Sequence, residues 1–218
     1  MGEGRGCATA SGIFIRYMLS VAVMSEHGNS DKVTVLLGGA FNPPHLAHLL
    51  AAGAALSDPA CADVWLIPCA AHPYEKDLLG FEQRVELCEA MIAPFAGRLS
   101  VSRIESELAE PNYTVRTLEA LRGQHPGRAF AWLIGSDNAM GIHQWKDAER
   151  LPELAYIWVV GRTGEGGEIP AHMHQLAGLP LPPISSTLVR GRISAGESWR
   201  GLVAGSVAEL IEQKHYYQ

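Results

Sequence analysis

Residues 33–48 constrain the fold more than any other stretch of this sequence. They read Val-Thr-Val-Leu-Leu-Gly-Gly-Ala-Phe-Asn-Pro-Pro-His-Leu-Ala-His. The apolar run Val33–Leu37 predicts a buried strand, the two glycines after it predict a tight turn, and the apolar spacing of Leu46–Leu56 predicts a helix. Such a strand–turn–helix unit directs backbone N–H groups and the positive end of the helix into one crevice, which suits a phosphate group.

Strand and helix patterns alternate along the rest of the chain, which predicts an α/β domain with a parallel sheet and helices on both faces. The other predicted strands are Asp63–Pro68, Leu99–Ile104, Ala129–Ile134 and Tyr156–Val160. The other predicted helices are Phe81–Ile92, Tyr113–Arg122, a helix capped by Ser185 or Ser186 that runs to about Ile193, and Val203–His215. Residues 162–180 are rich in Gly and Pro and predict a surface loop, followed by a short extended piece at Leu181–Ile184.

The charge balance argues against a nucleic-acid partner. The 218 residues include 17 Lys and Arg against 23 Asp and Glu, and no basic run of five residues occurs. Nucleic-acid binding needs clustered positive charge.

No apolar run reaches the roughly 18 residues that a membrane span needs. The four cysteines form no Cys-x-x-Cys pair, which favours free thiols in the reducing cytoplasm over a zinc site.

Residues 1–31 are expected to form a disordered or loosely packed extension ahead of one domain at 32–218. Ile13–Met24 is mildly apolar and weakly suggests a secretory leader, but the stretch lacks a long apolar core. Met18 and Met24 are alternative starts. Assembly into a homo-oligomer is left open.

Two clusters carry residue types that bind anions. His45 and His48 lie three residues apart and share one helix face, so both can point at the same anion. Ser185–Thr187 opens a helix, and Arg190 follows one turn later with a planar guanidinium that suits phosphate oxygens. The alternatives are capping or core histidines, metal ligation by the histidine pair, and a plain helix cap with a surface arginine.

Both clusters resemble signatures of the nucleotidylyltransferase superfamily. Gly39–His48 is similar to its glycine loop and His-x-x-His motif, and Ile184–Arg190 is similar to its Ile-Ser-Ser-Thr-x-x-Arg motif. Between them Pro111–Thr114, Gly135–Asp137 and Trp145 resemble bacterial nicotinate mononucleotide adenylyltransferases. The resemblance implies a Rossmann-like nucleotidylyltransferase fold. It also implies adenylyl transfer from ATP, accompanied by Mg²⁺, to nicotinate mononucleotide, which forms nicotinate adenine dinucleotide and pyrophosphate in NAD biosynthesis.

The resemblance also implies roles for individual residues, and it implies no resident metal. Catalysis is expected of His45, His48 and Arg190. The expected ATP contacts are Gly38, Gly39, Ala40, Phe41, His48, Gly135, Asp137, Ser185, Ser186, Thr187 and Arg190. The expected mononucleotide contacts are Asn42, His72, Lys76, Thr114, Trp145 and Lys146. A core position for Trp145 and a solvated loop for His72 and Lys76 are open alternatives.

Two other functions stay open at this point. Pantetheine-phosphate adenylyltransferases share both signatures but are typically shorter, and a non-catalytic nucleotide sensor could keep the same fold. Two further arginines, Arg84 and Arg103, are expected to form ion pairs on helix surfaces rather than to contact a ligand.

Overall fold

The computed structural model describes residues 32–70, 78–95, 97–163, 169–178 and 180–218. The extension at 1–31 and the two predicted contacts His72 and Lys76 lie outside these residues. Within the described ranges, no helix is long and apolar enough to cross a membrane.

A parallel sheet of six strands forms the centre of the molecule, in the order β3-β2-β1-β4-β5-β6. The strands are β1 (Val33–Gly39), β2 (Cys61–Pro68), β3 (Leu99–Val101), β4 (Phe130–Gly135), β5 (Tyr156–Val160) and β6 (His174–Gln175). The order reverses between β1 and β4. In open parallel sheets the loops on either side of such a reversal diverge and leave a crevice at the carboxyl ends of the strands.

The described residues contain seven α-helices, of which the last two follow the final strand. They are α1 (Leu46–Ser57), α2 (Phe81–Ile92), α3 (Thr114–Gln124), α4 (Ser136–Ala139), α5 (Leu151–Leu154), α6 (Ser186–Ser194) and α7 (Gly205–Lys214). Single turns of 3₁₀-helix lie at Ala93–Phe95, Ile104–Glu107, Ile142–Gln144, Ala148–Arg150 and Arg200–Leu202.

The core lies on both faces of the sheet because side chains alternate along each strand. Val35 and Leu37 belong to a buried cluster with residues of α1, α2, α6 and α7, whereas Leu36 belongs to a second cluster with α3. All three side chains are less than 9% exposed. Helices therefore cover both faces, which confirms the predicted fold class.

Most predicted elements are present, and α2 and β5 have the predicted bounds. Three predictions are wrong in detail. Strand β3 ends at Val101, because the Ser102 side chain accepts a bond from the N–H of Ile104 and starts a 3₁₀ turn. The predicted loop at 162–180 contains β6, which pairs with β5. The last helix begins at Gly205, since Ala204 before it is extended.

Candidate active site

A cavity of about 390 Å³ opens at the carboxyl ends of β1 and β4, where the strand order reverses. Eight predicted site residues line it, namely Gly38, Gly39, Ala40, His45, His48, Thr114, Gly135 and Trp145. Its wall also contains residues that the sequence did not single out for the site, among them Cys69, Glu105, Asn112, Trp132, Asn138 and Arg162. The first loop, the histidine pair and the predicted pyridine contacts thus share one cavity.

The glycine loop packs directly against an indole ring. A Cβ atom on Gly38 would lie 2.5 Å from Cζ2 of Trp132, which is closer than two carbon atoms can approach. Gly39 is less restricted, since its nearest neighbours would be Phe41 at 3.4 Å and His48 Nε2 at 3.7 Å. Phe41 has a φ of 50° and is fully buried, so this loop turns sharply into the core before α1 begins.

The two histidines stack on each other at the start of α1. Their ring centroids are 3.8 Å apart with an interplanar angle of 26°, and the Phe41 ring lies 4.6 Å from that of His48 in a tilted arrangement. The Nδ1 atom of His48 accepts a 3.2 Å hydrogen bond from the backbone N–H of His45. In the neutral ring this bond leaves the proton on Nε2, on the side of Gly39. His48 therefore presents an N–H donor beside the glycine loop.

Burial keeps both imidazoles neutral. It lowers the pKa of His45 to about 4, and the positive charge of Arg162 adds to the effect. Burial also holds the pKa of His48 well below its usual range, with further contributions from His45 and Arg162. His45 is 5% exposed, and its Nδ1 atom has no hydrogen-bond partner in the described part of the protein. A polar atom left unpaired at a cavity wall is available to a ligand.

Arg162 is a cation that the sequence-based search missed. It follows β5, lines the cavity and forms an ion pair with Asp137 at 3.3 Å. This pair passes over Gly135, where a Cβ atom would lie 2.2 Å from Asp137 Oδ1 and 2.7 Å from Arg162 Nε. Loops at the carboxyl ends of parallel strands face the ligand crevice, and that rule could have identified Arg162.

The second predicted anion cluster stands behind the first loop rather than in the cavity wall. Ser185 caps α6 by accepting a bond from the N–H of Leu188, and the Ser186 hydroxyl donates to the carbonyl of Pro43 at 2.8 Å. Arg190 Nη1 donates to the carbonyl of Asn42 at 2.7 Å. Thr187 is exposed at the same helix start. The structure thus brings both signatures together.

The cavity wall also contains Glu105, Asn112, Thr114 and Trp145. Glu105 accepts bonds from the Thr117 hydroxyl and from the N–H of Ala70, and burial raises the pKa of its carboxyl. Asn112 donates to the carbonyl of Glu105, while its own Oδ1 is buried and unpaired within the described ranges. Trp145 both lines the cavity and packs against the second core cluster.

Other predicted contacts point elsewhere. Asn42 is fully buried, and its Oδ1 accepts bonds from the N–H of Leu79 and the hydroxyl of Tyr217. Its side chain therefore supports the loop from behind. Asp137 forms an ion pair with Arg162, which lines the cavity. Lys146 is exposed and forms an ion pair with Asp147. Neither Phe41 nor Lys146 is part of the cavity wall.

The two arginines expected at the surface behave differently from each other. Arg103 forms the predicted ion pairs, with Glu82 and Glu89 of α2. The prediction for Arg84 is wrong, because its side chain is fully buried and its partners in the described part of the chain are backbone carbonyls and a thiol.

No group of three or more His, Cys, Asp or Glu side chains that could hold a metal ion occurs among the residues that the structure describes. The cavity wall contains two imidazoles and a guanidinium, of His45, His48 and Arg162, which suit phosphate oxygens better than a cation.

A glycine loop, an imidazole pair and a basic side chain around a crevice at the strand reversal define a nucleotide-binding α/β protein. The chain belongs to the cytidylyltransferase-like family, whose model matches residues 36–192. Among its curated relatives is the "probable nicotinate-nucleotide adenylyltransferase" of Anaeromyxobacter dehalogenans, which is 42% identical over 194 residues covering 87% of this chain and 99% of the relative. The Myxococcus xanthus protein of the same name is 40% identical over 84% of this chain and 93% of its own length.

Solved structures agree on the fold. The nicotinic acid mononucleotide adenylyltransferase of Plasmodium falciparum, in complexes with NaAD and with APC, matches with TM-scores of 0.72 and 0.71. Each match covers 85% of this chain and 97% of that chain at 19% identity. The predicted nucleotidylyltransferase fold is therefore confirmed.

Proposed function

We propose that this chain transfers the adenylyl group of ATP to nicotinate mononucleotide and releases pyrophosphate. The observation that carries the proposal is the stacked His45–His48 pair beside the glycine loop, in a cavity at the strand reversal. The relatives at 40–42% identity bear the name of this activity and align over nearly their whole length.

The chemistry is one in-line displacement. A phosphate oxygen of the mononucleotide attacks the α-phosphorus of ATP, a new P–O bond forms, and the bond to the oxygen that bridges to the β-phosphorus breaks. Pyrophosphate leaves with the electron pair. The protein needs donors placed where negative charge develops rather than a nucleophile of its own.

The residues of the first loop supply such donors. The Nε2–H of His48 lies beside Gly39, and the unpaired Nδ1 of His45 and the amino end of α1 belong to the same loop. Arg162, whose positive charge acts on both histidines, adds a cation to the cavity wall. We assign ATP phosphates to this end of the cavity, with the carboxylate of Asp137 serving ribose hydroxyls. A divalent ion, which we take to be Mg²⁺, enters with the triphosphate and neutralises part of its charge.

The pyridine ring is assigned to the end with Thr114 and Trp145. Thr114 is the first residue of α3, so its hydroxyl stands next to backbone N–H groups that have no partner within the helix. A carboxylate accepts from all of these donors, whereas a carboxamide must turn its NH₂ group toward one of them. One such mismatch is worth roughly 10- to 100-fold in specificity.

One observation favours a second candidate substrate, nicotinamide mononucleotide. The buried Oδ1 of Asn112 lines the same end of the cavity and lacks a donor in the described part of the chain. A carboxamide NH₂ could fill that role. We favour nicotinate, because the start of α3 at Thr114 offers several hydrogen-bond donors, whereas Asn112 offers a single hydrogen-bond acceptor. We further propose a cytoplasmic location, which the free thiols of the buried Cys61 and Cys88 support.

The test is kcat/KM for both mononucleotides with the wild-type protein, Thr114→Val and Trp145→Ala. We expect wild type to prefer nicotinate mononucleotide by roughly 10- to 100-fold. Thr114→Val should shrink this ratio, while Trp145→Ala should weaken both substrates equally, because the indole can stack on either ring. Equal use of the two, or a preference for the amide, would contradict the proposed substrate.

Two control reactions address the other readings. Turnover of phosphopantetheine in place of the mononucleotide would favour the pantetheine-phosphate enzymes. Binding of ATP without product from any of the three acceptors would favour a nucleotide sensor.

A further inference from the structure

Arg84 is buried directly behind the cavity wall. It lies in the first turns of α2, and none of its side chain is exposed. Burying a guanidinium is costly unless every N–H group finds an acceptor. Such a residue needs an explanation beyond the surface ion pair that the sequence suggested.

The guanidinium joins three separate pieces of backbone. Nη1 donates to the carbonyl of Ala40 at 2.8 Å, Nη2 to the carbonyls of Cys69 and Ala70 at 2.7 and 3.3 Å, and Nε to the carbonyl of Leu79 at 2.9 Å. Ala40 belongs to the glycine loop, whereas Cys69 and Ala70 follow the end of β2. All three side-chain nitrogens are therefore used, and each is directed to a different piece of chain.

The contacts reach the wall of the site itself. Ala40 and Cys69, two of the four acceptor residues, line the cavity. The Phe81 ring supports the guanidinium, with the guanidinium carbon 5.6 Å from the ring centroid. Among the described residues, no carboxylate forms an ion pair with Arg84. The guanidinium thus fixes the distance between the loop after β1 and the chain that leaves β2.

We propose that Arg84 is a positioning residue of the adenylyl transfer. It touches neither substrate. Its guanidinium holds the glycine loop, assigned to the ATP phosphates, at a fixed distance from Cys69 in the neighbouring wall. This proposal rests on the proposed function. Misplacement of reacting groups by about 1 Å can cost 10²-fold in rate, so loss of the fork should lower kcat more than it changes KM.

The experiment compares kcat and KM of the wild-type protein, Arg84→Lys and two controls, at a temperature where circular dichroism shows all four folded. Lysine keeps the charge but offers a single nitrogen that cannot bridge three pieces of backbone. We expect kcat to fall roughly 10- to 100-fold, with KM for each substrate within about threefold of wild type.

The two controls separate positioning from stability. Arg98→Lys makes the same exchange at an arginine that also donates to three carbonyls, of Leu56, Cys61 and Ala62, but at the opposite end of β2. Leu87→Val alters buried packing on α2 without touching the guanidinium. Both should keep a wild-type kcat. An Arg84→Lys protein whose kcat matches these controls would overturn the proposal.

A gentler variant decides the matter if Arg84→Lys does not fold. Phe81→Leu removes the ring that supports the guanidinium and leaves the arginine in place. A kcat reduced about two- to fivefold, with KM retained, supports positioning, and an unchanged kcat overturns it. If wild type itself makes no dinucleotide from ATP and either mononucleotide, the proposed function fails instead.

Discussion

His48 can serve a phosphate through only one of its ring nitrogens. The backbone N–H of His45 occupies Nδ1, and the lowered pKa keeps the ring neutral before a ligand arrives. The proton therefore sits on Nε2, ready to be donated without reorganisation. Donors that are already oriented before the reaction stabilise a transition state more effectively than groups that must first turn.

His48→Ala should lower kcat by roughly 10²- to 10³-fold, the usual effect of removing one preorganised donor, while ATP affinity changes much less. Steady-state pyrophosphate release measures the first quantity and calorimetry the second. His125→Ala is the matched control, since His125 packs against Trp65 and Phe130, outside the cavity wall. Near-normal turnover of His48→Ala would remove His48 from the mechanism.

Acid should destabilise the fold through His45. Its pKa is about 4 in the folded protein and near 6.5 when unfolded, so the unfolded chain binds more protons between these values. The free energy of unfolding therefore rises with pH across this window and falls on acidification. Between pH 7 and 5 this one residue should account for a loss of about 2 kcal/mol.

Urea unfolding of wild type and His45→Asn at several pH values between 7.5 and 4.5 measures this contribution. Between pH 7 and 5, the free energy of unfolding of the asparagine variant should fall by about 2 kcal/mol less than that of wild type. Parallel stability curves for the two proteins would show that His45 is not held neutral by the fold.

Gly38 and Trp132 should be coupled energetically. Gly38→Ala should destabilise the protein by about 1–3 kcal/mol, because the new methyl group overlaps the indole. Gly39→Ala should cost far less, since its Cβ atom would meet only ordinary contacts. In a double-mutant cycle, Trp132→Leu should relieve much of the cost of Gly38→Ala. Additive free energies would contradict this packing.

The strand, glycine turn and helix at residues 33–57 could be predicted from the sequence, because an apolar run gives way to a glycine pair, a proline pair and then a helical spacing of apolar residues. Trp132 was not predicted as a site residue, since a tryptophan within a buried strand gives no sign that its ring covers a neighbouring glycine. Arg84 was misread because helical periodicity does not distinguish a solvated arginine from one that faces backbone carbonyls.

At the scale of elements, α6 is fastened to the loop that precedes α1. Ser186 bonds the carbonyl of Pro43 and Arg190 the carbonyl of Asn42. Two segments about 140 residues apart in the sequence thus form one rigid unit. The second signature therefore shapes the first loop in addition to any direct contact with a ligand.

Arg190→Ala should weaken ATP binding and also destabilise the fold by about 1–3 kcal/mol, because the buried carbonyl of Asn42 loses a charged donor. A surface arginine would cost at most about 1 kcal/mol. Calorimetry with a non-hydrolysable ATP analogue and urea unfolding give the two values. Arg192→Ala is the control, since this arginine of α6 bonds Ser198 instead. Unchanged ATP affinity in Arg190→Ala would refute its assignment.

Long elements with a clear period were predictable, and short ones were not. The twelve residues of α2 show their buried face in the sequence, whereas the two residues of β6 give no pattern at all. Strand β6 exists because β5 offers an unpaired edge, which is a tertiary cause. Strand β3 is short for a different and local reason, because the Ser102 side chain accepts a bond from the N–H of Ile104 just after the strand ends.

At the scale of the whole molecule, the cavity depends on pairing between distant parts of the chain. Val35 of β1 pairs with Ala131 of β4, and the residues that follow these strands form the two sides of the site. Neither half of the chain contains a complete cavity. Folding must pair these two strands before the cavity exists, so nucleotide binding depends on the same long-range contact as the fold.

The position of Trp132 also gives the protein a built-in optical signal. Of the five tryptophans, Trp132 and Trp145 line the cavity, while Trp65, Trp158 and Trp199 do not. A purine or pyridine ring that enters the cavity must change the surroundings of one or both indoles, and stacking against an aromatic ring quenches their emission. Titration with ATP and with the mononucleotide should therefore change intrinsic fluorescence without any added label. Trp145→Phe and Trp132→Phe would assign each change to one end of the cavity.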